Sequence, residues 1–507
     1  MKNITTKLLA LALVFAFCFS FAGCSLFGQQ PDNGGNQGGN QGGNQGGNNG
    51  GNEPPVDEPD DLKGITEDTI WVGNTAGTTG ALATIGAPFN LGIEAAFAAY
   101  NAAGGYNGKN IKLKHYDDGG VATNSTTMLD TLLFEDEVFA IVGHFGSYAV
   151  DATLETLKDE KVPMIYAAAG NNSLLNENAT SAGDKGIFPV QPLNQTEGRM
   201  LAIRAFAPVD KGGLAATKVG VIFNSDEASK AMVEGIKAEE KDSKLPAINY
   251  QEVSGDSYSA AVTALKAAGC DTVIIAVTGA GFLTTLTTMA DAQYYSKVLT
   301  TYNNASAAVF NANNVLQEKY YSIFSTMAIY AQSWLDITSL TYNYNKETPL
   351  NAAYKAFYEL LNIPYPEAGV PGFNEKYWAV AENIFNYAVT VDPATALTMS
   401  SDPYALAGYI AGDLFCQGME ALEKSGKAVS RANLVAIMES QEFQVAMADT
   451  INYANGMRAG VQSFGLTSIY DVYNLDATLG GGVYHAAASA TVYPLTSIED
   501  YRALLAK

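Results

Sequence analysis

From Thr69 onward the chain alternates short apolar runs rich in β-formers with longer runs of helical period, and that alternation leaves few folds open. TIWVGNT (69–75), IKLKHY (111–116), VFAIVG (138–143) and VPMIYA (162–167) read as strands. Between them Pro88 to Tyr100, 122–135 and 147–158 read as helices, the first with Ile93, Ala96, Phe97 and Tyr100 on one face. Strands separated in this way by helices need right-handed crossovers and pair as a parallel sheet. After about Phe188 the pattern restarts. Helices are expected over 197–207, 227–240, 258–268 and 281–292, and strands at KVGVIFN (218–224), INYQEV (248–253) and DTVIIAV (271–277). Gly269 stands where a helix ends in the left-handed conformation. The expected fold class is therefore α/β, with two doubly wound parallel-sheet lobes. A ligand of such a pair binds outside the carboxyl ends of the strands, in the cleft between the lobes.

Beyond this the chain is more helical, over 350–362, 403–424 and 430–440, with strand-like stretches near 319–325 and 483–493. Residues 331–402 are rich in Tyr, Asn and Pro and have weak periodicity, so they read as an insertion.

The first 23 residues read as an export signal. Lys2 and Lys7 precede an apolar run from Leu8 to Phe21, which is shorter than the ~20 residues a membrane-spanning helix needs. The run ends in Phe21-Ala22-Gly23-Cys24. Small residues before a Cys at that point resemble a lipobox, in which the Cys becomes the lipidated first residue of the mature chain. Cys24 is the expected lipidation site, and acyl chains there would anchor the protein to a membrane. Residues 24–62 form the expected tether: Gly-Gly-Asn-Gln repeats from Gly34, Gly38 and Gly42, followed by an acidic, Pro-containing stretch, Glu53 to Asp61. The Gly, Asn and Gln stretch from Gln29 to Asn52 has no apolar side chains to bury against the entropy of ordering it. The expected division is then signal 1–23, tether 24–62, first lobe 63–190, second lobe 191–318, a return to the first lobe with the insertion over 319–440, and a final crossing to the second lobe over 441–507.

Composition narrows the function. The formal net charge of −23, from 52 acidic and 29 basic residues, argues against nucleic acid and against docking on anionic lipid. Neither a metal site nor a cofactor is expected. The three His and four Cys are scattered, and there is no G-x-S-x-G, H-E-x-x-H or Walker pattern. His115 and His144 read as structural, and His485 is isolated. Cys18 leaves with the signal, and Cys270 and Cys416 read as free buried thiols in different lobes. Asp117-Asp118 reads as a turn-capping pair, because adjacent strand residues face opposite ways. With no nucleophile–base pair, the chain reads as a binding protein and not an enzyme.

Residues 64–190 carry a family likeness. Gly64-Ile65-Thr66 leads into Ile70-Trp71-Val72-Gly73. There follow Asn101-Ala-Ala-Gly-Gly-Tyr-Asn-Gly-Lys109, Tyr116-Asp-Asp-Gly119, Ala140-Ile-Val-Gly143 and Lys161-Val-Pro-Met-Ile165. In order and spacing these stretches resemble the leucine/isoleucine/valine-binding protein family, the type I solute-binding proteins of ABC importers. Likeness continues through Val219 to Asn224 and Ser259 to Val277 and fades after about 330. The resemblance implies two lobes joined by three crossovers and closing on a ligand.

Candidate ligand residues follow from both readings. Gly146, Ser147 and Tyr148 lie where a strand ends and a helix begins, a place where free N–H groups suit a carboxylate, although Ser147 also suits a helix cap. Ala168, Gly170 and Asn171 follow the next strand. The resemblance implies that the Ala168 carbonyl faces an ammonium and that Gly170, lacking the hydroxyl many members have, offers only its N–H. The loop Thr78 to Ile85 is expected to rim the cleft. In the second lobe the corresponding positions are Ala228, where an aromatic residue is common, Thr278, and Tyr302 with Asn303, where a carboxylate is common. A neutral Asn accepts more weakly from an ammonium than a carboxylate does. Tyr148, Tyr166, Tyr302 and Asn303 thus suit an aromatic, amide-bearing or less charged solute. The resemblance implies an extracytoplasmic, lipid-anchored protein that captures a small polar solute, an amino acid or analogue, and passes it to an ABC permease. A stand-alone sensing lipoprotein of the same fold is the alternative, and a surface enzyme a remote one.

Overall fold

The computed structural model describes residues 62–255, 257–304, 327–335, 347–361, 375–468 and 493–505. The signal, the tether, Cys24 and the strand-like stretch 319–325 fall outside the described residues, as does most of the stretch 483–493.

The first lobe is built from β1 (Thr69–Ala76), α1 (Ala83–Ala102), β2 (Asn110–Asp117), α2 (Ala122–Asp130), β3 (Ala140–Phe145), α3 (Ser147–Asp159), β4 (Met164–Ala168) and β5 (Ile187–Phe188). Its parallel sheet has the order β2-β1-β3-β4-β5. The second lobe starts with α4 (Asn194–Phe206), β6 (Val219–Phe223), α5 (Glu227–Asp242), β7 (Asn249–Glu252), α6 (Tyr258–Ala268), β8 (Thr272–Ile275), α7 (Gly279–Asp291), β9 (Lys297–Thr300) and β10 (Ile329–Ser333). Its strands run β7-β6-β8-β9-β10 in parallel, the same winding as the first lobe. Strands β13 (Ser463–Ser468) and β14 (Tyr493–Ser497) then extend this sheet antiparallel beyond β10, so the second sheet is mixed and not purely parallel.

Two boundaries differ from expectation. Strand β10 pairs with β9 in the second sheet, so the return to the first lobe follows Ser333 and does not begin at 319. The hairpin β11–β12 (Glu442–Gln444 and Thr450–Asn452) buries Phe443 and Ile451 in the first-lobe core. The last crossing therefore lies between Asn452 and Ser463, not at 441. Helix α1 also begins at Ala83 and runs through Pro88, where the sequence suggested a start.

Between these crossings, α8 (Pro349–Leu361), α9 (Glu375–Val391), α10 (Pro403–Ser425) and α11 (Arg431–Met438) pack on the first lobe, and α12 (Ile498–Leu505) closes the chain. Helices α8 and α9 fall largely in the segment read as an insertion. They have their own small core of Leu350, Tyr354, Tyr358, Trp378 and Phe385. Helix α10 is different in kind: its Leu406, Ile410, Leu414 and Phe415 belong to the main core. It crosses α1 at backbone contact. A Cβ on Gly92 would stand 1.9 Å from the Ala405 carbonyl oxygen, and one on Gly408 would stand 1.8 Å from that of Phe89. Glycine is needed at both positions for this approach, which brings Phe89 of α1 beside the first turn of α10.

Gly408→Ala should therefore force these helices apart, which costs about 1–3 kcal/mol in a packed core. Thermal unfolding should show a drop of several degrees in Tm, and an unchanged Tm would contradict the close crossing.

Candidate functional site

The two windings point the carboxyl ends of both sheets at one cleft. Its lining is Phe89, Phe145, Ser147, Tyr166, Ala168, Gly170, Gln191, Asn194, Ala228, Tyr302, Asn303, Tyr404 and Ala407, around about 560 Å³ of atom-free space that is partly open to solvent. Phe145 and Ser147 sit at the junction of β3 and α3, Tyr166 and Ala168 at the end of β4, and Tyr302 and Asn303 just after β9. Phe89 lies with its ring centroid 5.1 Å from that of Phe145 and 6.0 Å from that of Tyr166, so one wall is aromatic. Tyr166 holds a positive φ of 61° inside β4, opposite the left-handed Gly143 of β3. Strain of this kind in a non-glycine residue persists only where surrounding contacts enforce it. Here the Tyr166 hydroxyl donates to Gln191 Oε1 at 3.3 Å.

The first turn of α4 organises the cleft from below. The Asn194 N–H donates to the Gly170 carbonyl at 3.0 Å, joining the second lobe's first helix to the first lobe's cleft loop. One turn on, Glu197 is fully buried. Its carboxylate accepts from the Thr301 hydroxyl at 2.8 Å and from the Tyr302 N–H at 2.9 Å, which fixes the loop carrying Tyr302 and Asn303. Burial pushes the Glu197 carboxyl up to about 7, against the pull of these hydrogen bonds. Between them, the Thr196 hydroxyl donates to the Ala459 carbonyl at 3.2 Å on the last crossing. That crossing also runs beside the first one, with the Val461 N–H on the Val190 carbonyl at 2.8 Å and the Tyr453 hydroxyl on that of Pro189 at 2.9 Å. Arg458 is buried there, stacked 4.6 Å over the Phe188 ring and paired with Glu439 at 2.8 Å.

The family model described as periplasmic binding protein matches residues 69–356, more than half of the chain. The chain belongs to the periplasmic binding protein family. An amino acid binding protein of Pseudomonas aeruginosa is 27% identical over 197 residues, 38% of this chain and 50% of that protein. Leu/Ile/Val-binding protein homolog 2 of Brucella abortus is 28% identical over 213 residues, 40% of this chain and 53% of that protein. The chain thus spans about half the length of these curated relatives. Among solved structures, a leucine-binding protein from Thermotoga maritima superposes with a TM-score of 0.53 at 14% identity, covering 85% of this chain and 99% of that one. A type 1 periplasmic binding protein from Bordetella pertussis gives 0.52 at 17%, covering 84% and 100%. At such identities the likeness shows the fold, that of the type I periplasmic binding proteins.

Of the residues expected to touch a ligand in this family member, Ser147, Ala168, Gly170, Ala228, Tyr302 and Asn303 share the lining. Four others do not. Tyr148 turns its hydroxyl to Asp118 at 2.8 Å and lays its ring where a Cβ on Gly146 would stand, 2.4 Å away, so both residues shape the loop from outside the lining. Asn171 is buried off the lining, and Thr278 stands at the N-terminus of α7. The loop Thr78 to Ile85 is also absent from the lining. Asp117 ties it back by accepting from the N–H groups of Thr78 and Thr79, while Asp118 accepts from the Gly120 N–H, so both acids cap turns as expected. His115 and His144 are hydrogen-bonded inside the first lobe, to Asn74 and Thr78 and to Thr153. Cys270 and Cys416 are free and buried.

Phe89, Gln191, Asn194, Tyr404 and Ala407 were not singled out from sequence, whereas Phe145 stands in the candidate stretch that ends β3. Tyr404 had a local signal, because Asp402-Pro403 is a helix start. The Asp402 carboxylate accepts from the N–H groups of Tyr404 and Ala405 at 2.8 and 3.0 Å.

The Glu197 carboxyl gives a pH test. Its folded value of about 7 lies above the ordinary 4.5, so between those values the folded chain keeps a proton that the unfolded chain has lost. Stability from this group is complete below the lower value and falls as pH rises through the window. Glu197→Gln imitates the protonated form, accepting from Tyr302 and donating to Thr301. Denaturant unfolding of the variant should lose less stability than the wild type between about pH 5 and pH 7, by up to roughly 3 kcal/mol. Asp402 and Asp413, raised by burial to about 6, act alike in both proteins, so parallel curves would contradict this role of Glu197.

Proposed function

We propose that this protein is an extracytoplasmic solute receptor, which captures a small polar solute of amino-acid size between its lobes and delivers it to an ABC importer. The observation that carries the reading is the convergence of both sheets' carboxyl ends on one cleft lined by Ser147, Asn194 and Asn303, whose side-chain polar groups make no hydrogen bond among the described residues. A fatty acid ABC transporter substrate-binding protein and a leucine-binding protein among the structural neighbours, and amino-acid-binding relatives, support it. Solute bound first to one lobe would draw in the other, bending the paired crossings at 189–193 and 459–462. The closed form would then be what the permease reads, so that solute binding shifts an open–closed equilibrium. Cys24 would hold the receptor to its membrane by lipid, with the Gly/Asn/Gln tether giving it reach.

A solute that binds this cleft at 100 times its Kd should stabilise the chain by about 2.7 kcal/mol. In a thermal-shift screen of amino acids and their analogues, Ser147→Ala and Tyr302→Ala should remove the shift given by an active solute. A shift that survives both substitutions would contradict the assignment of the cleft. Separately, Cys24→Ser should move the protein from the membrane fraction to the soluble fraction of the cells that make it. Retention in the membrane fraction would contradict the lipid anchor.

A further inference from the structure

The chemistry of the lining narrows the solute. Among the described residues, the lining contains no Asp, Glu, Lys, Arg or His. Of the nearby carboxylates, Glu197 holds Thr301 and Tyr302, and Asp118 holds Ser125, Gly120 and Tyr148. Asp151 of α3 and Glu227 of α5 are exposed and stand off the lining, and partial burial and the nearby Asp151 push the Glu227 carboxyl up. The Ala168 carbonyl already accepts from the Gly146 N–H at 3.3 Å. An ammonium entering this cleft would lose its water and meet no counter-charge, which is strongly unfavourable. A carboxylate would meet no cation, on a chain whose net charge is −23.

What the cleft does offer is neutral and bifunctional. Asn194 is 7% exposed, and among the described residues its carboxamide makes no hydrogen bond. It lies over Gly170, where a Cβ would stand 2.8 Å from its Oδ1, so the absence of a side chain at Gly170 is what lets the carboxamide lie there. A buried carboxamide held in this way presents a C=O and an NH2 side by side, the complement of another amide. Ser147, at the N-terminus of the 13-residue α3, adds a hydroxyl where the helix dipole favours a partly negative oxygen.

We infer that the cleft takes an uncharged solute bearing a carboxamide-type group, a carboxamide, lactam or urea, read by Asn194 over Gly170 with its apolar remainder against Phe89, Phe145 and Tyr166. This rests on the reading of the cleft as the solute site. Asn194 is a specificity determinant, because a buried group built to hydrogen-bond one ligand is left unpaired by another.

Matched probes test it on the full chain by calorimetry at neutral pH. One set is isovaleramide, isovalerate, isoamylamine and leucine; the other is phenylacetamide, phenylacetate, phenethylamine and phenylalanine. In at least one set the amide should bind about tenfold or more tighter than its three charged counterparts. Asn194→Ala should weaken that amide by about tenfold, with the Tm of the free protein little changed. Asn194→Asp, which puts a carboxylate over Gly170, should move the preference toward the amine. If leucine or phenylalanine binds tightest and Ser147→Ala weakens it, the cleft stands as the solute site and the amide inference falls. If no probe binds, or binding ignores Asn194→Ala, Ser147→Ala and Tyr302→Ala alike, the inference and the reading beneath it both fall.

Discussion

Glu197 is a carboxylate with no exposure to water, held by one hydroxyl and one backbone N–H. Burying such a group is unfavourable unless its hydrogen bonds are met. The requirement is met here by the loop that follows β9, so the demand of one carboxylate places Tyr302 and Asn303 at the cleft. The same helical turn binds Gly170 through the Asn194 N–H and Ala459 through Thr196. The Gln332 side chain, at the end of β10, donates to the Glu197 carbonyl at 3.3 Å. Four residues thus collect one loop from each lobe and two of the crossing segments. The turn stays in place because α5 packs against α4 at backbone contact, where a Cβ on Gly198 would stand 2.0 Å from the Met232 carbonyl oxygen.

Much of the fold could be read from the sequence because it is written in periodicity. The runs at 69–75, 138–143 and 271–277 became β1, β3 and β8, and the restart after Phe188 marked the second lobe. The misses have physical causes. Strand β10 lies beyond a stretch of weak pattern, and whether an isolated strand joins the first sheet or the second depends on its neighbours, not on its own residues. Helix α1 was begun too late because Pro88 looks like a start, whereas packing against α10 carries the helix through it. The antiparallel edge of the second sheet comes from β13 and β14, residues distant in sequence from the strands they join.

The site divides similarly. Ser147, Ala168, Gly170, Tyr302 and Asn303 stand directly after strands, where the rule for doubly wound sheets locates a cleft. Gln191 comes from the first crossing and Asn194 from the start of α4, and Phe89, Tyr404 and Ala407 come from helices brought together by the close approach at Gly92 and Gly408. No local pattern joins positions 89, 194 and 404. Tyr148 illustrates the opposite error: its place after β3 suggested a ligand, but the buried Asp118 claims its hydroxyl. The net charge of −23 acquires a sharper meaning as well, since the acidic side chains stay off the lining and leave it neutral.

In the proposed function two lobes, joined at the 189–193 and 459–462 crossings, close on a solute. The most direct measurement is the distance between spin labels at Ala152 of α3 and Lys230 of α5, exposed positions on opposite sides of the cleft. Pulsed electron resonance on a chain without Cys18 and Cys24 would leave only the buried Cys270 and Cys416 as native thiols. A bound solute should shorten and narrow this distance distribution. A distribution that is the same with and without a solute shown to occupy the cleft would contradict it.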